Sequence, residues 1–172
     1  MALVVQDGNN PAGANSYASS DTADTYASDR GKTSWTDASE GKDEALIRAT
    51  AAIDATYGAR FPGWKTFLRD QLTQWPRTDA YDVDDNLIGA NEVPIEVINA
   101  TIEGAFRELA SPGSLLPDLD RGGSLKRVKA GSVEVEYADN AESTTTYSII
   151  DGILAPILMA SSGGLAGRTT RA

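Results

Sequence analysis

Between Pro94 and Ala110 the large apolar side chains fall at Ile95, Ile98, Ile102, Phe106 and Leu109, three or four residues apart, which puts them on one stripe of a helix. Pro94 stands at the first helical position, where its missing N–H costs nothing. A second stripe of Leu46, Ala49, Ile53 and Tyr57 predicts the longest helix, over roughly 40–57, opened by Thr36 or Ser39 and closed by Gly58. A short helix is expected after Ser19 or Ser20 as cap. Asp21 and Asp24 lie toward its positive end, Tyr26 on its core side, Gly31 is its stop, and Trp35 anchors the turn that follows. Residues 61–76 hold Trp64, Phe67, Leu68, Leu72 and Trp75 without a clean period, an irregular or short-helical stretch that ends at Trp75-Pro76-Arg77. In the last quarter Ile149, Ile150, Ile153, Leu154, Ile157 and Leu158 predict a helix that Pro156 kinks or divides.

At 124–138 the period drops from about 3.6 to two. Val133, Val135 and Tyr137 share one face of a strand, Glu134 and Glu136 share the other, and Ala130-Gly131-Ser132 supplies the turn back to Lys126, Arg127 and Lys129. The predicted hairpin has one basic and one acidic arm, and each cross-strand opposite-charge pair is worth about 0.2–1 kcal/mol. An isolated hairpin is marginal in water, so this one is expected to lean on helices of its own subunit or on a neighbouring chain.

These elements predict a mainly α protein: a small helical bundle with a β-hairpin and extended N- and C-terminal arms. A chain of 172 residues fits one domain, assigned to 1–160, followed by a flexible arm at 161–172. Cysteine and histidine are both absent, which excludes disulfides, thiol nucleophiles, Cys/His zinc sites and imidazole acid-base catalysis. Neither a phosphate-cradling Gly-x-x-x-x-Gly-Lys loop nor a Gly-x-Gly-x-x-Gly unit occurs. Ser39-Glu40-Gly41-Lys42 matches a Ser-x-x-Lys nucleophile pattern in letters alone, and Ser39 reads better as a helix cap. Asp79, Asp82, Asp84, Asp85 and Asn86 have the oxygen-rich look of a calcium loop, but the glycine and closing glutamate are not at their required offsets, so an acidic surface loop is expected. Neither an enzyme nor a cofactor is expected.

Net charge is −10, with 16 acids against 8 bases in residues 1–100 and 9 against 7 in 101–172. Such a balance opposes general binding of phosphate backbones, which depends on Lys and Arg displacing counterions. Local exceptions are the cluster Arg121, Lys126, Arg127 and Lys129, and the aromatic run beside Lys65, Arg69 and Arg77, which reads either as core anchors covered by aliphatic stems or as a stacking platform for single strands. The first residues lack the basic and apolar regions of a signal peptide, and no apolar run of about 18 occurs, so no membrane association is expected.

The order of signals resembles a known family. Asn15-Ser16-Tyr17-Ala18-Ser19 precedes a short helix, Lys42-Asp43-Glu44-Ala45-Leu46-Ile47-Arg48-Ala49-Thr50 lies in the long one, and Trp75-Pro76-Arg77 and Val93-Pro94 follow. Lys126 to Tyr137 and Ile150-Asp151-Gly152-Ile153-Leu154-Ala155-Pro156 complete a pattern over roughly 15–158. It resembles the tailed-bacteriophage proteins labelled DnaT-like single-stranded DNA-binding proteins, which look like head-tail connectors, or adaptors. The resemblance implies a ring, commonly of twelve subunits, under the portal protein in the neck of the virion, joining head to tail or nozzle protein. Double-stranded DNA would pass through its channel without sequence-specific binding. By the same analogy the arm, with Leu165, Arg168 and Arg171, would reach the portal, while Arg121, Lys126, Arg127, Lys129, Glu134 and Glu136 would contact a neighbouring subunit or DNA. Single-stranded DNA binding is the alternative.

Overall fold

A computed structural model describes residues 2–116, 127–130, 133–136 and 147–159. Five helices, α1 (Ser20–Asp29), α2 (Thr33–Thr36), α3 (Lys42–Tyr57), α4 (Ile95–Ala110) and α5 (Ser148–Leu154), make it a mainly α protein. Three two-stranded antiparallel pairs accompany them: β1 (Trp64–Lys65) with β2 (Arg77–Thr78), β3 (Ala80–Tyr81) with β4 (Leu87–Ile88), and β5 (Arg127–Ala130) with β6 (Val133–Glu136). Among the described residues no helix is long and apolar enough to cross a membrane.

The core is the packing of α3 against α4, with α5 laid on α4. Small residues let the first two helices approach closely: a Cβ on Gly104 would stand 3.3 Å from the Ala49 Cβ, and Ala45, Ala52, Ala100 and Ala105 are all buried. The stripe Leu46, Ala49, Ile53 and Tyr57 is buried as its spacing predicts. In α4 the buried face runs through Val97, Ala100, Thr101, Ile102 and Ala105. Ile98, Phe106 and Leu109 pack at its margin, and Ile95, first in the expected stripe, is exposed. Pro94 is the residue before the helix, so Ile95 begins the first turn, at the rim of the bundle.

Ser19 caps α1, its hydroxyl accepting the Thr22 N–H at 3.1 Å. Neither Thr36 nor Ser39 opens α3. Thr36 ends the separate one-turn α2, and Gly41, in the left-handed region at φ +81°, precedes Lys42. The extra turn brings Trp35 fully inside, edge-on to Phe106 with ring centroids 5.1 Å apart, and its indole N–H donates to Asp24 at 2.8 Å. Pro156 divides the C-terminal apolar run into α5 and a 3-10 turn at Ala155–Ile157.

The expected hairpin is present as β5 and β6. Its register sets Arg127 opposite Glu136 and Lys129 opposite Glu134, the predicted opposition of basic and acidic positions. Arg121, Lys126, Leu165, Arg168 and Arg171 lie outside the described residues.

Candidate interaction surface

The segment between α3 and β3 is turned inside out. Gln71, Thr73 and Arg77 are buried, while Trp64, Leu68 and Leu72 are 71, 73 and 67% exposed. Burying polar groups without partners is costly, and apart from Arg60 Nε and the Trp75 indole N–H, which have no partner among the described residues, the inward groups find one. The Gln71 amide donates to the carbonyls of Thr73 and Pro76, both at 3.0 Å, and its oxygen accepts the Phe67 N–H at 3.2 Å. The Thr73 hydroxyl donates to the Trp75 carbonyl at 2.7 Å and accepts from the Gln6 side chain at 3.2 Å. Arg77 fastens the base of the excursion, donating from Nε to the Pro62 carbonyl at 2.6 Å and from its terminal nitrogens to Gly63 and Gln74. Gly63 permits this closure, since a Cβ there would come within 2.2 Å of the Thr78 carbonyl oxygen.

The foot of the segment rests on α3. The Tyr17 hydroxyl donates to Asp54 at 2.5 Å and accepts the N–H groups of Gln74 and Trp75, and the Gln74 N–H also reaches the second Asp54 oxygen at 2.9 Å. Burial pushes the Asp54 carboxyl up to about 6, against the opposing pull of the Tyr17 and Gln74 hydrogen bonds. Phe61 and Trp75 close the underside edge to face at 5.5 Å. The five aromatic and aliphatic residues of the irregular stretch thus divide. Trp75 is a core anchor, and Trp64, Phe67, Leu68 and Leu72 form an exposed apolar rim held by buried hydrogen bonds. Arg77, grouped with the surface cations in the sequence, belongs to the buried frame.

The other described cations are mostly engaged within the subunit. Lys42 pairs with Asp24 at 2.9 Å, Arg48 with Glu108 at 2.9 Å, and Lys32 with Glu103 at 3.5 Å. Arg30 lies over the Tyr26 ring, Arg107 donates to the Glu103 carbonyl, and Lys65 to the Gln71 carbonyl. The exposed Arg69, beside Leu68, has no hydrogen-bond or ion-pair partner among the described residues. The Ser39–Lys42 pattern lines an open hollow of about 900 Å3, and the Lys42 ammonium there is taken by Asp24.

Asp82 accepts the N–H groups of Asp84 and Asn86 at 2.9 and 2.8 Å, shaping the turn from β3 to β4. Among the described residues no three acidic side chains gather as a metal site. Below this turn, Asp82, Leu87, Glu92, Ile95, Glu96 and Ile157 border a second open hollow of about 250 Å3.

A family model described as "Putative DnaT-like ssDNA binding protein" matches residues 1–172. The chain belongs to this family. No curated protein and no solved structure matches it. The family description names DNA binding and makes no mention of a portal, a ring or a virion. Of the residues singled out in the sequence, the strands bring Arg127, Lys129, Glu134 and Glu136 together as opposed positions. The buried frame of Gln6, Asp54, Gln71 and Thr73 was not singled out. Its one local signal is the order Gln71-Leu72-Thr73, polar on both sides of an isolated leucine.

Proposed function

We propose that this member of the DnaT-like family is a non-catalytic structural subunit, a head-tail connector of a tailed phage that assembles into a ring beneath the portal. The observation that carries the reading is the inside-out segment, in which a buried polar frame holds four large apolar side chains, Trp64, Phe67, Leu68 and Leu72, exposed to water. Exposed apolar groups arranged in one patch mark a surface made for another protein. Charge supports the same reading: net charge is −10, and the described cations are mostly engaged by carboxylates, carbonyls or rings of their own subunit. A ring lined by such a surface lets double-stranded DNA pass without holding it. The portal-binding role of Leu165, Arg168 and Arg171, the twelve-fold count and the place in the virion neck belong to this proposal.

Single-stranded DNA binding is the second reading, and the family description favours it. The local observation on its side is that exposed Trp64 and Phe67 stand beside Lys65 and Arg69, an arrangement on which bases stack. Light scattering of the chain, alone and with its portal, alongside an oligonucleotide titration over a range of salt, tests the two together. A portal-bound ring with negligible oligonucleotide affinity supports the connector. A monomer that ignores the portal and binds single strands with a steep salt dependence overturns it in favour of DNA binding.

A further inference from the structure

Two exposed apolar patches on this chain carry opposite charge. The first is the rim of the inside-out segment, Trp64, Phe67, Leu68 and Leu72, whose charged residues are Lys65, already bonded to the Gln71 carbonyl, the exposed Asp70, and Arg69, which has no partner among the described residues, a net charge of about +1. The second is the 250 Å3 hollow between the β3–β4 turn and the start of α4. There Leu87 and Ile95 are 65 and 59% exposed, the charged groups are Asp82, Glu92 and Glu96, and no residue of 64–72 contributes. Both patches leave large apolar side chains exposed, while Asp82 already accepts the Asp84 and Asn86 N–H groups and Glu92 the Gly89 N–H. Leu68 is moreover held at φ +53°, a left-handed conformation that a leucine adopts at a cost of about 1–2 kcal/mol, so its display is imposed by the buried frame beneath it.

We propose that the two patches are the two halves of one contact: the 64–72 rim of one copy seats in the Leu87/Ile95 hollow of the next, Arg69 meeting the carboxylates around it. Apolar side chains fill the hollow, while the opposite charges set register and discourage the alternatives of rim on rim or hollow on hollow. Such a contact repeated head-to-tail closes a ring when the rotation per subunit divides the circle, whereas a wild-type mass of only twice the monomer would mean that two copies seat their rims in each other and would overturn the ring. The occupant is a second copy of this chain, because the complementary surface is already present on it. The inference rests on the connector reading and supplies its subunit contact.

Two variants with unlike faces test it. Leu68→Asp removes the rim's central side chain, and aspartate tolerates the left-handed backbone there better than leucine does. Ile95→Asp disables the hollow, and an acidic residue suits the first turn of α4. Circular dichroism establishes that both fold. Light scattering at matched concentration is then expected to give a multimer for the wild-type chain, a monomer for each variant alone, and a mass twice the monomer for their equimolar mixture, since one intact rim meets one intact hollow and the chain stops there. Variants that keep the wild-type mass, or a mixture that stays monomeric, overturn the contact and leave the connector reading standing. A wild-type chain that remains monomeric to millimolar concentration and on its portal as well overturns both. Loss of oligonucleotide binding in Leu68→Asp with its mass unchanged overturns the contact in favour of base stacking.

Discussion

Replacing Glu108 by glutamine removes a charge from the joint where α4 hands the chain to residues 111–116. The carboxylate is 1% exposed and accepts three hydrogen bonds, from Arg48 Nε at 2.9 Å and the Gly113 N–H at 2.7 Å on one oxygen, and from the Leu115 N–H at 2.9 Å on the other. An amide offers a single acceptor oxygen. Its least costly orientation keeps the oxygen toward Arg48 and Gly113 and points the NH2 at the Leu115 N–H, donor against donor. One hydrogen bond to a charged group, about 1.5–3 kcal/mol, is lost outright. The Gly113 bond loses its charge assistance, which roughly halves it, and the Arg48 bond keeps the donor's charge but loses the acceptor's. A destabilisation of about 3 kcal/mol follows, a large share of the ~5–15 kcal/mol that holds a domain folded. Urea unfolding at neutral pH measures it, and a double-mutant cycle with Arg48→Met should return a coupling of about 1 kcal/mol or more. A second signature lies in acid. Burial raises the Glu108 carboxyl, but the N–H groups of Leu115 and Gly113, with Arg48, outweigh it and hold the group below its usual range. A carboxyl depressed in the folded state adds stability that is complete above its unfolded value of about 4.3 and disappears as pH falls through the folded value. The variant should therefore lose stability less steeply than the wild type below that pH. A cost under about 1 kcal/mol together with an unchanged acid limb would refute the assignment of Glu108 as the anchor of this joint.

Asp54 has the opposite sign. Its folded value of about 6 lies above the unfolded one, so the native state holds the proton more tightly, and stability should decline by up to about 3 kcal/mol as pH rises from about 4 through 6. Asp54→Asn should abolish that decline in urea titrations, and a persisting slope would assign it elsewhere. The inverted segment predicts an inverted mutational pattern: Gln71→Leu, though apolar and buried, should cost about 2–4 kcal/mol by orphaning the Thr73, Pro76 and Phe67 backbone groups, whereas Leu72→Gln should stay within about 0.5 kcal/mol. Thermal melts of the pair check this, and equal costs would mean that the polar frame is not what holds the rim. Gly31→Ala, at φ +61° in open space, should cost about 1 kcal/mol, while Gly63→Ala, at φ +65° with the Thr78 carbonyl 2.2 Å from the new methyl, should cost at least twice that. Chemical denaturation of both separates backbone strain from overlap.

Several parts of the molecule were determined by local sequence. The stripe Leu46, Ala49, Ile53 and Tyr57 fixed the buried face of α3, Ser19 fixed the start of α1, and the alternation at Val133–Glu136 fixed the pairing of acidic with basic positions in the hairpin. Each depends on neighbours within a turn or across a tight hairpin, which period and capping chemistry specify. Other outcomes were decided in three dimensions. Ile95 matches its stripe yet lies outside, because a helix's first residue stands where the bundle it packs against ends. Ser39 has a cap's chemistry, but α2 and the left-handed Gly41 displace the start of α3 beyond its reach. The inside-out segment went furthest from its sequence pattern. Gln71 and Thr73 are interior because backbone carbonyls and Gln6, 67 residues from Thr73, satisfy their polar atoms there, and Tyr17 and Asp54 hold the adjoining Gln74 and Trp75. Whether a polar side chain goes in and an apolar one out depends on which partners the fold delivers, and partners from distant parts of the chain leave no period in the sequence around them.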